Sequence, residues 1–137
     1  MTARMTGGWH YRLLNEAKNG LEKVETLEDL VWGVEGPDGP TFVVVPAGEV
    51  TDFASMPWAA RRVLPSFGPW ARAAVLHDYL YRTRGEGGRW TRKQADDMFA
   101  EAMAAIAATR SDGQPDALKR AIIHRAVRAF GAGGWGS

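Results

Sequence analysis

The sequence predicts an α+β domain in which N-terminal antiparallel strands are followed by three main helices packed together. Apolar and β-branched runs lie in the first half, and residues 41–46 (TFVVVP) are the most strand-like of them. In the second half, apolar side chains recur every three or four residues, which is typical of helices packed on a core. Because the strand and helix segments are separated rather than alternating, we expect antiparallel pairing.

The predicted strands lie at residues 9–14, 30–34 and 41–46. A turn rich in glycine and proline, at residues 36–40, separates the second strand from the third. A short helical piece is expected at residues 58–64, immediately before a proline.

Three long helices are expected at residues 69–82, 91–108 and 115–130. A loop with three glycines joins the first helix to the second. Thr91 and Gln94 have the spacing of a capping box, in which each side chain bonds the other residue's backbone N–H. The second helix is therefore expected to begin at this pair.

The helical periodicity predicts that His77 faces the core. Spacings of four, three and four residues put Trp70, Ala74, His77 and Tyr81 on one side of the first helix. The expected buried stripes of the other two helices comprise Ala95, Phe99, Ala102 and Ile106 in the second, and Ile123, Val127 and Phe130, flanked by Leu118 and Ile122, in the third.

Length and composition limit the classes of protein. A chain of 137 residues fits one domain, so residues 1–137 are interpreted as a single domain with a loose glycine-rich tail at 131–137, apart from Trp135. The net charge of +1, from 17 basic and 16 acidic side chains, gives no field that would concentrate a polyanion, so nucleic acid is not an expected partner. The absence of cysteine excludes disulfides, thiolate metal sites and a cysteine nucleophile.

No transmembrane segment is expected, because no apolar run approaches the roughly 18 residues of a membrane span. Residues 1–9 lack the apolar stretch of a signal peptide. We therefore expect synthesis in the cytoplasm.

The first candidate segment is the loop at residues 50–57, which follows the most strand-like segment. Loops in such a position often carry function, and Asp52 and Ser55 could supply a metal ligand and a hydrogen-bond donor. The alternative is that Thr51, Asp52 or Ser55 caps the short helix that follows.

The second candidate is the pair His77 and Asp78. Adjacent side chains on a helix point about 100° apart, so these two are poor partners for each other but can border one site. An imidazole can bind a metal or act as a general base, and a carboxylate can bind a metal or orient a water. The alternative is structural, with His77 hydrogen-bonded within the core and Asp78 paired to Arg82 one turn on.

The third candidate is Asp96, which lies at the edge of the second helix's buried stripe and can turn toward the neighbouring helix. Asp97 is expected to face solvent, and two acids near the start of a helix also suit its macrodipole. His10 and His124 are interpreted as structural or exposed. The basic residues of the last helix are interpreted as a solvated face rather than a phosphate site, and they comprise Lys119, Arg120, Arg125 and Arg128.

Four motifs follow one another along the chain. Residues 45–57 contain VPAG followed by TDFASMP, and residues 73–81 contain Ala-x-x-x-His-Asp-x-Leu-Tyr. Residues 95–103 contain Ala-Asp-x-x-Phe-x-x-x-Met, and residues 127–131 contain Val-Arg-x-Phe-Gly. Over about residues 41–131, the chain thus resembles a phage and prophage family catalogued as domain of unknown function 1353. The resemblance implies a phage or prophage origin, among tail or lysis genes, with no assigned reaction.

The polar residues shared by these motifs are Asp52, His77, Asp78 and Asp96. The set implies a divalent-cation site, since oxygen ligands suit Ca²⁺, Mg²⁺ or Mn²⁺ and a histidine admits Zn²⁺. His77, Asp78 and Tyr81 are also similar to the His-Asp-x-x-Tyr helix of secreted phospholipases. There the His activates water, the adjacent Asp binds calcium, and an Asp from an antiparallel helix orients the His, a role that Asp96 could take. The chain lacks those enzymes' disulfides and glycine-rich calcium loop.

The leading hypothesis is a phage- or prophage-encoded accessory protein that acts as a metal-assisted hydrolase on cell-envelope material. In it His77 is the general base or a metal ligand, Asp52 and Asp78 are metal ligands, Asp96 orients His77, and Tyr81 donates a hydrogen bond. The alternative is a non-catalytic virion or tail-assembly component in which these side chains form a buried hydrogen-bond network. Its partners would be other tail or virion proteins. Either protein is expected to be made in the host cytoplasm, and association with the virion is compatible with both.

Overall fold

The computed structural model describes residues 5–8, 10–18, 21–36, 39–51, 70–109 and 117–135. The strands of this part of the chain are β1 (Met5–Gly7), β2 (Tyr11–Lys18), β3 (Leu21–Thr26), β4 (Leu30–Gly33), β5 (Phe42–Val45) and β6 (Val50–Thr51). The long helices are α1 (Trp70–Arg82), α2 (Arg92–Thr109) and α3 (Ala117–Phe130), with a short turn at Arg84–Gly88 and a 3-10 helix at Gly131–Gly134. Antiparallel strands thus precede several helices, and the predicted α+β fold is confirmed.

The strands form two three-stranded antiparallel sheets, with the orders β1-β4-β5 and β2-β3-β6. In the first sheet Leu30 pairs with Val45 and Trp32 pairs with Val43. All four of these side chains are completely buried. Because alternate residues of a strand point to opposite faces, this pairing directs one apolar face of the sheet into the core.

Two of the predicted strands are confirmed as β4 and β5, and the prediction at residues 9–14 overlaps β2. Strands β1, β3 and β6 are not among the predicted strands. Strand β3 (LEKVET) contains three charged residues, and β6 has only two residues, so neither carries a clear apolar alternation. The predicted helical piece at 58–64 lies outside the described residues.

The three predicted long helices are confirmed. The capping box is also present, since the Gln94 backbone N–H donates to the Thr91 hydroxyl at 3.1 Å and the Thr91 N–H donates to the Gln94 side chain at 2.8 Å. These bonds satisfy backbone donors that the first turn of α2 leaves without intrahelical partners.

The segment Arg84–Gly88, between α1 and α2, is a tight turn with left-handed backbone angles. The φ angles of Gly85, Glu86 and Gly87 are 67°, 59° and 76°. Glycine adopts such angles at no steric cost, which accounts for the glycines at this point. The carboxylate of Glu86 accepts a hydrogen bond from the Trp90 indole at 3.0 Å and thereby ties the turn to the start of α2.

The core lies between the first sheet and the three helices. The predicted stripe of α2 is confirmed, since its four members are at most 4% exposed. The prediction for α3 is wrong at Phe130, which is 72% exposed because the helix ends there and the chain turns into the 3-10 helix. The flanking Leu118 and Ile122 are exposed too, and the buried side of α3 consists of Ile123, Ala126 and Val127.

Residues 131–134 of the tail form the 3-10 helix. Trp135 follows it and packs edge-on against Tyr81, with 5.1 Å between the ring centroids. Within the described residues, no helix has the length and apolar character needed to cross a membrane.

Candidate functional site

His77 lies on α1 at the centre of the helical core. Its side chain is completely buried, as the spacing of α1 predicts. The imidazole packs between two aromatic rings, with centroid distances of 4.2 Å to Tyr81 and 4.7 Å to Phe99. A polar ring in such surroundings needs a hydrogen-bond partner, since burying it without one costs free energy.

Asp96 of α2 is that partner. Its Oδ1 atom lies 2.7 Å from Nε2 of His77 and 2.6 Å from the hydroxyl oxygen of Tyr81. Asp96 is completely buried. Hydrogen bonds to an ionised carboxylate are short and roughly twice as strong as neutral ones, so this contact couples α1 firmly to α2. The structure thus brings together the three residues predicted as catalytic.

Two arginines neutralise the buried carboxylate. Arg128 of α3 donates from Nη1 to Oδ2 of Asp96 at 2.7 Å. Arg92, one turn before Asp96, places its Nη1 3.6 Å from the same oxygen and donates to the Tyr81 hydroxyl at 3.2 Å. Arg92 also caps the end of α3, because it donates to the carbonyls of Val127 and Arg128 at 3.1 and 3.0 Å.

The contacts of both arginines with the Asp96 network are absent from the predictions made on the sequence. Arg128 was expected on a solvated face, and only the tertiary packing of α3 against α2 reveals its contact with Asp96. The relation of Arg92 to Asp96 is visible in the sequence, since residues four apart share a helix face. A buried aspartate with an arginine one turn earlier would have identified this pair.

Asp78 lies next to His77 in the chain and is 7% exposed. Its carboxylate accepts a hydrogen bond from the hydroxyl of Thr51, which comes from β6. Arg82, the partner expected for Asp78 in the structural alternative, forms an ion pair with Glu49. Asp78 is therefore held at the junction of α1 with the second sheet.

Burial and hydrogen bonding determine the protonation of these side chains. Burial raises the pKa of Asp96, but hydrogen bonds from His77, Tyr81 and Arg128 outweigh that effect and hold the pKa below its ordinary value. Burial lowers the pKa of His77 more than the neighbouring carboxylates raise it. Burial and the bond to Asp96 raise the pKa of Tyr81.

At neutral pH the site therefore holds an ionised Asp96, a neutral His77 and a protonated Tyr81. Because an ionised carboxylate can only accept hydrogen bonds, the proton of the imidazole lies on Nε2. Nδ1 then carries no proton and has a lone pair. This is the tautomer that a general base requires when Asp96 orients it.

The described residues contain no group of three His, Asp or Glu side chains placed to hold a metal ion. Of the predicted ligands, His77 and Asp78 are consecutive residues of α1, and Nε2 of His77 is bonded to Asp96. Asp52 lies outside the described residues, as does Ser55. The predicted ligand set of Asp52, Asp78 and His77 stays a prediction.

The remaining polar candidates lie at the surface. Asp97 has a side chain 40% exposed and contacts Lys93 at 2.6 Å and His124 at 3.0 Å. The His10 side chain is 74% exposed and lies 3.2 Å from Glu28. Asp97 therefore faces outward, as predicted, whereas Asp96 beside it faces the core.

Most residues of this site lie within a stretch that matches a known protein family. The model of the family described as Protein of unknown function (DUF1353) matches residues 27–127. The chain belongs to this family. The part matched to DUF1353 contains His77, Asp78, Tyr81 and Asp96, and it ends one residue before Arg128. No curated protein and no solved structure matches the chain.

Proposed function

We propose that this DUF1353 protein is a metal-assisted hydrolase that cleaves an ester or amide bond in cell-envelope material, and that it is a phage- or prophage-encoded accessory protein. The observation that carries the proposal is the bond between His77 and Asp96. A buried carboxylate that accepts from Nε2 leaves Nδ1 as the basic atom of the ring. The two side chains thus have the relation of a general base and the group that orients it.

In the proposed reaction, Nδ1 of His77 removes a proton from a water molecule whose oxygen attacks the carbonyl carbon. The imidazolium formed in this step is stabilised by Asp96, whose negative charge is adjacent to Nε2. His77 then returns the proton to the leaving oxygen or nitrogen as the bond to the carbonyl carbon breaks. Tyr81 and Arg128 keep the Asp96 carboxylate in place throughout.

Asp78, together with Asp52, would hold the divalent cation of this proposal. A cation bound there would polarise the carbonyl oxygen of the substrate. Asp78 has the chemistry for that role, since it follows the proposed base directly in the chain and its carboxylate is fixed by Thr51. The similarity to secreted phospholipases supports the same division of roles, because Asp96 bonds His77 and Tyr81 from the next long helix.

A second candidate is a non-catalytic virion or tail-assembly component. It is favoured by the complete burial of His77 and Asp96 and by the bonds on both oxygens of Asp96. In that case the network only joins α1, α2 and α3, since a satisfied buried network rigidifies a core. The protein would then act through its surface.

Hydrolysis assays on matched histidine variants distinguish the two functions. Purified protein is tested with chromogenic esters, phospholipid vesicles and labelled peptidoglycan, each in Ca²⁺, Mg²⁺, Mn²⁺ and Zn²⁺. The hydrolase predicts that His77→Ala reduces turnover by about 10²–10⁴-fold while the helical circular dichroism is retained. His124→Ala, the same change at a partly exposed histidine bonded to Asp97, is expected to leave turnover unchanged. No turnover by the wild type, together with unfolding of His77→Ala, would support the structural component instead.

A further inference from the structure

The chain that follows the matched residues 27–127 contributes to the His77 site, and it begins with Arg128, the second residue of the Val-Arg-x-Phe-Gly motif. Arg128 donates to Asp96, and Trp135 packs against Tyr81. We refer to residues 128–135 as the C-terminal turn. It comprises the end of α3, the 3-10 helix and Trp135.

Arg128 controls the orientation of the Asp96 carboxylate. A carboxylate can rotate about its bond to the side chain, which would turn its oxygens out of line with His77. Arg128 binds Oδ2 at 2.7 Å while His77 and Tyr81 bond Oδ1, so the group is held at both oxygens. The charged donor thus fixes the plane of the carboxylate relative to the imidazole.

Gly131 makes room for the Tyr81 hydroxyl. A Cβ atom at this position would lie 2.7 Å from that hydroxyl oxygen and 3.3 Å from Nη1 of Arg92. The first distance is shorter than van der Waals contact allows, so a side chain at residue 131 would displace Tyr81 from Asp96. Trp135 also packs on Tyr81, with its ring edge-on at 5.1 Å between the centroids.

We propose that the C-terminal turn is a positioning element of the His77 site, which holds Asp96 through Arg128 and confines Tyr81 through Gly131. Neither residue touches the reacting atoms of the proposed hydrolysis. Their effect reaches His77 through Oδ1 of Asp96 and fixes the tautomer with the proton on Nε2. The effect of this positioning on catalysis rests on the proposed function. The hydrogen bond between His77 and Asp96 does not, because it can be observed without a substrate.

The test uses two glycines of the same 3-10 helix. Gly131→Ala places a methyl group against Tyr81, whereas a Cβ at Gly133 meets nothing within 4 Å. Protein labelled with ¹⁵N in its three histidines is studied by NMR, and a His77→Asn variant assigns the His77 ring signals. We expect a downfield, exchange-protected Nε2 proton of His77 in the wild type and in Gly133→Ala. In Gly131→Ala this signal should shift or disappear.

A second pair of variants tests Arg128 without adding bulk. Arg128→Gln removes the charge and is expected to perturb the His77 ring signals, whereas Arg128→Lys retains a cation and should restore them in part. If Gly131→Ala and Arg128→Gln leave the His77 signals as in the wild type, even with lower melting temperatures, the turn is only structural and the proposal is wrong.

The two proposals can fail separately. If the ring signals respond as expected and no substrate is hydrolysed, the positioning role stands and the hydrolase proposal fails. If a substrate is found, Gly131→Ala should lower kcat with little change in KM, because the turn acts on the base rather than on binding. Unchanged kcat in Gly131→Ala would overturn the positioning role while leaving the hydrolase intact.

Discussion

An ionised side chain in a protein interior is stable only when charged or polar donors surround it, and Asp96 meets this condition. His77 and Tyr81 bond one oxygen, and Arg128 bonds the other. Asp97, the next residue, has the same chemistry but lies at the surface with a side chain 40% exposed. The two residues therefore provide a matched pair for measuring what the buried network contributes.

Asp96→Asn is expected to lower the free energy of unfolding by about 3–5 kcal/mol, because it leaves buried donors facing a neutral amide. Asp97→Asn should cost about 0–1 kcal/mol, as for an exposed ion pair. Urea denaturation of both variants at pH 7 measures the difference. Equal midpoints for the two would mean that the Asp96 network contributes no special stability.

The protonation of His77 and Asp96 predicts a loss of stability in acid. Burial lowers the pKa of His77 in the folded protein, so below about pH 6.5 the unfolded chain binds more protons and stability falls. Asp96, whose folded pKa is also lowered, adds a second loss below about pH 4. The free energy of unfolding, measured from pH 8 to pH 4, should decrease less steeply below pH 6.5 in His77→Asn. Parallel curves for the variant and the wild type would contradict this assignment.

At residue scale the sequence predicts the inward face of His77 and allows Asp96 to turn toward the neighbouring helix. The periodicity of α1 and α2 suffices for both, since each residue lies on or beside an apolar stripe. It cannot reveal Arg128, because the helical period does not show which basic residue of α3 meets the buried carboxylate of α2. The sequence also gives no sign that residue 131 must be glycine. The requirement comes from the Tyr81 hydroxyl, which is close in space although Tyr81 lies 50 residues earlier in the chain.

Among the elements, the turn between α1 and α2 has several consecutive residues in the left-handed region of backbone angles. Gly85 and Gly87 both have left-handed φ angles, 67° and 76°. They differ in their surroundings, since a Cβ at Gly85 would lie 1.9 Å from the carbonyl oxygen of Trp90 and one at Gly87 would meet nothing within 4 Å. The direction in which α2 leaves the turn depends on this close approach.

Gly87→Ala is expected to cost about 1–2 kcal/mol, the penalty of a left-handed angle for a residue with a Cβ atom. Gly85→Ala should cost clearly more, because it adds a steric collision with the backbone to the same penalty. Thermal and urea unfolding of the two variants give the comparison. A Gly85→Ala protein as stable as Gly87→Ala would show that the turn relaxes freely.

Helices and strands with a clear apolar periodicity could be predicted from the sequence, and those without one could not. Strands β4 and β5 and all three long helices have clear apolar periodicity, and their bounds agree with the structure within a few residues. Strand β3 has three charged residues among its six and pairs with β2 through shifted registers, so only the fold reveals it. The exposure of Phe130 was unpredictable for a related reason, because a helical stripe does not indicate where its helix ends.

In the whole molecule, α1 connects both sheets to the helices. Arg72 is 5% exposed and donates to the carbonyls of Gly7 at 2.9 Å and Met5 at 3.3 Å, which attaches β1. Thr51 of β6 bonds Asp78 and attaches the second sheet. The helix that carries His77 is therefore fixed from both sides.

Arg72→Met should lower the free energy of unfolding by about 1–3 kcal/mol, because two carbonyls of β1 lose their buried donor. Hydrogen exchange of the β1 and β4 amides should accelerate more than that of α2. Arg12→Met is the control, since this arginine has a side chain 65% exposed and is expected to change stability by about 0.5 kcal/mol or less. Uniform acceleration across the protein would mean that Arg72 has no local role in holding β1.

The most direct test of a cation-assisted site beside His77 is thermal melting of EDTA-treated protein with added Ca²⁺, Mg²⁺, Mn²⁺ or Zn²⁺. Binding to the folded state raises the melting temperature in proportion to the logarithm of cation concentration. We predict such a rise for one of these ions in the wild type and in Asp97→Asn, and its loss in Asp78→Asn and Asp52→Asn. A wild-type melting temperature that no cation changes, or an equal rise in Asp78→Asn, would contradict the account.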